Sequence, residues 1–307
     1  MHTLPAVALL KDRWPDAAIR WIANTEWLPL LAGNPDLEEA IEFPRRRFRG
    51  VAGVLKIAPW AQALRAQIDA DLILDFQGLL RSALIAKLCR GEKTRVLGLS
   101  DAREGARFFY DETVDVTGSP HAVDRYLALA VHATGGAPAP PSAALRWPLP
   151  LGSAIADFEP APFVLLHPFS RGAGKSLTPE EVVAFCRAMA PSRVVIAGRA
   201  EAALPAMPNA TNVLNRTSIA ELIWLIRRAA FVVSVDSGPM HIAAALTSNV
   251  VAIHTWSDPR KVGPYRDHAW ILSGGQLRQH SQLATSEAGI AVADLAALAP
   301  WVRSQIG

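Results

Sequence analysis

Short apolar runs alternate with longer amphipathic stretches over most of the chain. In the first half Ala18–Ala23, Asp71–Asp75 and Thr94–Gly98 read as strands; in the second half Phe163–His167, Arg193–Ala197, Phe231–Val235 and Val250–His254 do. The segments between them are long enough for helices. That alternation is the rhythm of βαβ crossovers and predicts an α/β fold on parallel sheets. Gly135-Gly-Ala-Pro-Ala-Pro-Pro141, with further prolines up to Pro162, interrupts any regular element. The expected organisation is therefore one α/β domain over residues 1–150 and a second over 151–307, with a last helix around Val292–Arg303.

Composition narrows the class. A chain of 307 residues that is 50% hydrophobic can build two cores and is neither disordered nor repetitive. No apolar stretch reaches the roughly 18 residues of a membrane helix, because the longest candidates are broken by Arg227-Arg228 or by Asp236. Cys89 and Cys186 are the only cysteines; they fall in separate halves inside helical patterns, as buried thiols of a reducing compartment do. The net charge of +3 is carried mostly by arginines, whose forks suit carboxylates and phosphates, so an acidic glycolipid or an anionic membrane surface is the expected partner. The arginines are dispersed and no zinc spacing or basic repeat accompanies them, which argues against nucleic acid. Their densest run, Arg45-Arg46-Arg47 with Arg49, reads on its own as a solvated loop.

Two strand ends carry candidate chemistry. Phe231–Val235 runs into Asp236, Ser237 and Gly238, with Pro239 opening a helix. A helix start leaves N–H groups unpaired and carries partial positive charge, so this junction suits an anion; a plain strand-to-helix turn capped by Asp or Ser is the alternative. Phe163–His167 leads into Pro-Phe-Ser-Arg-Gly-Ala-Gly-Lys175, after which Thr178-Pro-Glu-Glu181 has the form of a capping box. Gly172 and Gly174 let backbone approach a ligand, and Lys175 offers a point charge for a diphosphate. Gly174-Lys175-Ser176 ends like a Walker A loop, but Phe169 stands where that motif needs its first glycine. Two such loops at strand ends predict a nucleotide diphosphate pocket at the edge of a parallel sheet.

His167-Pro-Phe-Ser-Arg with Lys175, and Ser234-Val-Asp-Ser-Gly-Pro-Met-His241, resemble the donor motifs of the ADP-heptose:lipopolysaccharide heptosyltransferases, glycosyltransferase family nine. Asp75-Phe-Gln-Gly-Leu-Leu-Arg-Ser82, Ala102-Arg-Glu104 with Phe108-Phe-Tyr110, and His121-Ala-Val-Asp-Arg125 are similar to the heptosyltransferase I motifs. The resemblance spans nearly the whole chain. It implies the GT-B fold, two Rossmann-like domains facing across a cleft, with the last helix packing back on the first domain. It also implies a first strand and a Gly-Asp turn, with the Asp as catalytic base, ahead of a helix start that reads His2-Thr-Leu-Pro5 here. The expectation is thus a domain lacking its first strand, from a misplaced start or a truncation. Its alternative is a shortened, non-catalytic protein.

What the resemblance implies for function is an inverting glycosyltransferase of the cytoplasm, peripheral on the inner membrane, moving heptose from ADP-heptose to a Kdo sugar of the lipopolysaccharide inner core. Such a reaction needs a base for the incoming hydroxyl and positive charge for the departing diphosphate. Lys175 and Asp236 are the candidate catalytic residues; Ser170, Ser237, Gly238 and His241 are expected at the diphosphate, Glu201 at the ribose and Thr217 at the adenine. Arg46, Arg49, Gln77, Arg103 and Arg125 are expected at the acceptor. The plain alternatives are a cap for Asp236, a half-buried helix residue for His241, a dipole-favouring helix-start residue for Glu201 and structural ion pairs for the arginines. His2 and Asp12 are conceivable internal bases. Asp69-Ala-Asp71 has the form of a metal-binding DxD but precedes a strand, and the GT-B pattern that the resemblance implies needs no such metal site, so no tightly bound metal is expected, and no cofactor besides the donor sugar nucleotide. The rival functions are a transferase using another nucleotide sugar and a non-catalytic nucleotide-sugar-binding protein.

Overall fold

The structure is a computed structural model that describes all residues except 120, 160, 173, 202, 267–268, 284–291 and 307. The chain divides between residues 148 and 149 into two compact units.

The N-terminal unit opens with α1 (Leu4–Arg13), buried from Leu4 through Leu10, followed by β1 (Arg20–Asn24), β2 (Glu39–Phe43), α2 (Gly50–Val54) and α3 (Ile57–Gln67). Next come β3 (Leu72–Asp75), α4 (Leu80–Cys89), β4 (Arg95–Leu99), β5 (Glu112–Val114) and α5 (Ala122–Ala133). All strand pairings are parallel, in two separate sheets ordered β1-β2 and β3-β4-β5. Strand alternation sorts the core. Leu72 and Leu74 of β3 join the cluster of Leu97, Leu99, Val114 and Leu129, while Ile73 faces the other way. Ile73 packs with Ile22 and Phe43 against Ala61 of α3 and Ile85 and Cys89 of α4, so the two sheets share one apolar layer.

In the C-terminal unit β6 (Val164–His167), α6 (Pro179–Ala188), β7 (Val194–Ile196), β8 (Ala210–Asn212), α7 (Ile219–Arg228) and β9 (Phe231–Val235) follow in turn. They are succeeded by α8 (Gly238–Leu246), β10 (Val250–His254), α9 (Pro259–Val262), β11 (Trp270–Ser273), β12 (Gln276–Gln279) and α10 (Val292–Ile306). One sheet runs β12-β11-β10-β9-β6-β7-β8, parallel except for β12. That edge strand returns through a hairpin whose Gly274 and Gly275 both take positive φ, the twist a two-residue turn needs.

Strands β6, β9 and β10 are buried along their whole length because helices cover both faces, which is why their sequences are continuous apolar runs. Val251 and Ile253 of β10 lie in the large cluster with Phe185 of α6 and Leu298 of α10, whereas Ala252 meets Met240 of α8 on the opposite face. Leu295, Leu298, Ala299 and Val302 of α10 are buried against α6 and β9 of its own unit.

Two sequence readings of local structure hold in detail. Thr178 caps α6, accepting from the Glu181 N–H at 3.2 Å, while the Glu181 carboxylate accepts from the Thr178 N–H at 2.7 Å. Both cysteines are buried free thiols, with pKa values that burial pushes up to about 11 for Cys89 and about 12 for Cys186. Among the described residues no helix is long and apolar enough to cross a membrane.

Candidate functional site

The strand order of the C-terminal sheet reverses at β6, which has β9 on one side and β7 on the other. The two connections that leave β6 and β9 therefore part in opposite directions, and this opens a crevice beyond their carboxyl ends. The two loops singled out from sequence are those that follow β6 and β9.

Phe169 and Leu177 anchor the first loop in the core, and the Leu177 N–H donates to the Pro168 carbonyl at 2.9 Å. Gly172 and Gly174 take φ of +110° and +75°, a conformation that reverses the chain and that side chains resist. Within the loop the Ser176 hydroxyl accepts from the Ser170 N–H at 3.0 Å and donates to the Ser170 carbonyl at 3.1 Å. The loop thus brings Lys175 back to the end of β9. There its Nζ lies 2.7 Å from Oδ2 of Asp236, whose residue is buried.

Asp236 is held from three directions. Its Oδ2 also accepts from the Ser257 hydroxyl at 2.6 Å, and its backbone carbonyl accepts from the Ser170 hydroxyl at 3.0 Å. Ser257 in turn lies 3.1 Å from Nδ1 of His254, the fully buried last residue of β10. Burial lowers the His254 pKa to about 4, so the ring is neutral, and its Nε2 has no hydrogen-bond partner among the described residues. The Thr255 hydroxyl donates to the Gly174 carbonyl, and the exposed Trp256 ring lies 5.8 Å from Nζ of Lys175. A third loop, after β10, therefore completes the site. Its signal in the sequence was Ser257-Asp258-Pro259, a cap followed by proline, and Asp258 does cap α9 by accepting from the Arg260 N–H at 3.0 Å.

Helix α8 begins at Gly238, one residue before Pro239, with Ser237 at the cap position and no capping side chain on its N–H groups. The Ser237 hydroxyl is instead 3.4 Å from Nδ1 of His167 and 3.3 Å from the Ser234 hydroxyl. His167 is buried too, with its pKa lowered to about 4 by desolvation. It packs so closely on Gly198 that a Cβ there would stand 2.9 Å from its Nε2. His241 lies half-buried one turn into α8. Ser170, Lys175, Asp236, Ser237 and Gly238 are thus brought to one corner of the sheet, with Ser257 and His254 behind them.

Glu201 and Thr217 occupy the two neighbouring loops, after β7 and before α7. Asn215, at φ +60°, ties these loops together: its Oδ1 accepts from the Ala200 N–H at 3.1 Å and its Nδ2 donates to the Ala200 carbonyl at 2.6 Å. Glu201 is exposed. Thr217 borders a cavity of about 550 Å³ beside Phe158, Arg193 and Arg216.

The acceptor candidates belong to the N-terminal unit and fall into two groups. Gln77 follows β3 and Arg103 follows β4, joined by the Arg103 N–H donating to the Gly78 carbonyl at 2.8 Å. The turn is fixed by buried Asp75, whose Oδ1 accepts from the N–H groups of Gln77 at 2.9 Å and Gly78 at 3.2 Å. Its Oδ2 accepts from the Tyr110 hydroxyl at 2.8 Å, and burial together with this carboxylate raises the Tyr110 pKa. Arg125 is paired with Asp101. Arg46 and Arg49 lie in a separate exposed loop after β2, where Arg46 is 3.4 Å from Glu26 beside a cavity of about 360 Å³. Of the conceivable internal bases, Asp12 is engaged by Arg146 at 2.6 Å in a cluster with Asp36, and the His2 ring stands edge-on to His121.

A family model described as glycosyltransferase family 9 (heptosyltransferase) matches residues 57–289, a span that contains all three loops at the sheet corner. The chain is 26% identical to the lipopolysaccharide core heptosyltransferase OpsX of Haemophilus influenzae, over 89% of this chain and 80% of that protein. It is 29% identical to lipopolysaccharide heptosyltransferase 1 of Pseudomonas aeruginosa, over 86% of this chain and 78% of that one. Among solved structures it is similar to the ADP-heptose lipopolysaccharide heptosyltransferase II of E. coli, with a TM-score of 0.74 at 20% identity, covering 99% of this chain and 94% of that chain. It is similar also to the E. coli heptosyltransferase WaaC with ADP, with a TM-score of 0.73 at 19% identity, over 99% and 95%. At these identities the likeness shows the fold, which is the GT-B class.

Proposed function

The chain belongs to glycosyltransferase family 9, the heptosyltransferases, and from that membership we propose that it transfers heptose from ADP-heptose to a Kdo sugar of the lipopolysaccharide inner core, with inversion at the anomeric carbon. The observation that carries the donor half is the Lys175–Asp236 pair at the reversal point of the C-terminal sheet, beside the uncapped start of α8.

As the glycosidic bond to the diphosphate breaks, negative charge grows on the leaving oxygens. Lys175 answers that charge directly, and the N–H groups at the start of α8 answer it with oriented dipoles. Asp236 is itself an anion and a poor neighbour for a diphosphate. Its use is to hold the ammonium of Lys175 in place, and Ser257 and Ser170 hold Asp236 in turn. In this reading Ser170, Ser237, Gly238 and His241 surround the diphosphate, Glu201 reaches the ribose, and Thr217 lines the adenine side. Lys175 and the helix start supply the positive charge, so the reaction uses no metal and no cofactor.

On the acceptor side Gln77 and Arg103 at the ends of β3 and β4, with Arg125 of α5 paired to Asp101, form one group, and Arg46 and Arg49 a second. Arginines match the carboxylate of a Kdo sugar by bidentate pairing. The place of action is the cytoplasmic face of the inner membrane, where a lipid-borne acceptor of this kind is presented. Names of the curated relatives favour heptose, while the loops themselves fit other nucleoside diphosphate sugars and a purely binding role.

The test is product formation. The chain is incubated with ADP-heptose and a Kdo-bearing lipid A acceptor, and the acceptor is weighed by mass spectrometry, with UDP- and GDP-sugars as competing donors. A heptosylated acceptor from ADP-heptose alone is the expected result. An acceptor left unchanged by a folded protein that still binds ADP-heptose points to the binding role, and transfer from another donor reassigns the sugar.

A further inference from the structure

Three of the large exposed apolar side chains in the N-terminal unit gather on one surface. Leu80 (36% exposed) and Leu84 (39% exposed) are four residues apart on α4, so they share a helix face. Phe108 (77% exposed) stands on the short 3-10 turn Ala106–Phe109 that packs against α4. The Leu80 N–H donates to Glu104 at 3.3 Å and the Arg103 N–H to Gly78 at 2.8 Å, which fixes this turn against the start of α4.

The surface is ringed by cations. Arg107 lies over the Phe108 ring at 5.1 Å, Arg103 is exposed at the head of the turn, and Lys87 is exposed one turn beyond Leu84 on the same helix face. Glu104 is the anion among them, and its carboxylate sits at the N-terminus of α4, where the helix dipole offsets it. Nearby Asp111 is neutralised by Arg90 at 2.7 Å.

Apolar side chains standing proud of the surface inside a positive rim match the chemistry of an anionic phospholipid bilayer: hydrocarbon below, phosphate at the level of the rim. A second copy of the chain would meet the same cations again, which charge disfavours. We propose that the face formed by Leu80, Leu84 and Phe108 with Lys87, Arg103 and Arg107 is a membrane-docking surface for anionic phospholipid. The proposal deepens the transferase reading and rests on it for the lipid-borne acceptor, since Gln77 and Arg103 adjoin the same turn.

The experiment is co-sedimentation of the full chain with vesicles of phosphatidylcholine, with and without phosphatidylglycerol. Wild type is compared with the double variant Leu84→Ser and Phe108→Ser and with Arg107→Glu, whose side chains are exposed and whose folding is checked by circular dichroism. The expected result is binding to the anionic vesicles alone, weakened by added salt and reduced by about tenfold in either variant. Absence of wild-type binding, or equal binding by the variants, overturns the proposal. So does a wild-type dimer in light scattering that the double variant dissolves, because a second copy then covers the face. Failure of the transferase reading is seen separately, as absent transfer to a deacylated, water-soluble acceptor while vesicle binding follows the expected pattern.

Discussion

Asp236 accepts from Lys175, and Ser257 behind it leaves that carboxylate little freedom to turn. Removing the Ser257 hydroxyl takes away a hydrogen bond to a charged, buried group, so Ser257→Ala is expected to weaken ADP binding by about tenfold, while Ser257→Thr keeps the bond and the affinity. Calorimetric titration of the two variants checks this, and equal affinities would remove Ser257 from the site. The two histidines behind the loops make a different prediction. His167 and His254 have folded-state pKa values near 4 against an ordinary value of 6.5, both lowered first by burial. Below about pH 6.5 the unfolded chain takes up protons that the folded chain refuses. Their stabilisation is therefore complete above that pH and is lost progressively as pH falls toward 4, by about 3 kcal/mol for each histidine. Urea midpoints at pH 7.5 and 4.5 measure the slope, and His254→Asn is expected to flatten it. At this scale Lys175, Ser170 and Asp236 were legible because glycines and a helix start surrounded them in sequence. Ser257 and His254 were not, since only the fold brings the end of β10 beside the end of β9.

At the scale of elements, legibility followed burial. Strands β6, β9 and β10 are covered on both faces and announce themselves as unbroken apolar runs. Strands β5 and β8 have three residues each, and the sequences Glu-Thr-Val and Ala-Thr-Asn carry almost no pattern. Strand β2 alternates as Glu-Ala-Ile-Glu-Phe, and β12 is a polar edge reached only through the Gly274-Gly275 turn. Helix starts were easier, because capping is local chemistry. The Thr178–Glu181 box is made as its spacing implies, so Thr178→Ala is expected to cost about 1 kcal/mol and lower the thermal midpoint. A calorimetric scan that leaves the midpoint unmoved would mean that packing of Val182 and Phe185 alone fixes the start of α6.

At the scale of the molecule, the α/β class was legible from alternation, whereas the GT-B class was implied only by the resemblance of the motifs to a known family and is shown by the likeness to solved structures. The parallel strands of the N-terminal unit fall into two sheets, β1-β2 and β3-β4-β5, a division that alternation alone does not reveal. Lys175, Asp236 and Ser257 all lie in the C-terminal unit, so the donor site is tested by its own ligand. The most direct measurement is calorimetric titration of the full chain with ADP, wild type against Lys175→Ala. Saturable binding at one site, weakened by about a hundredfold on loss of the ammonium, is the predicted result. A wild-type chain that ignores ADP, or a variant that binds it as tightly, contradicts a diphosphate site at the ends of β6 and β9.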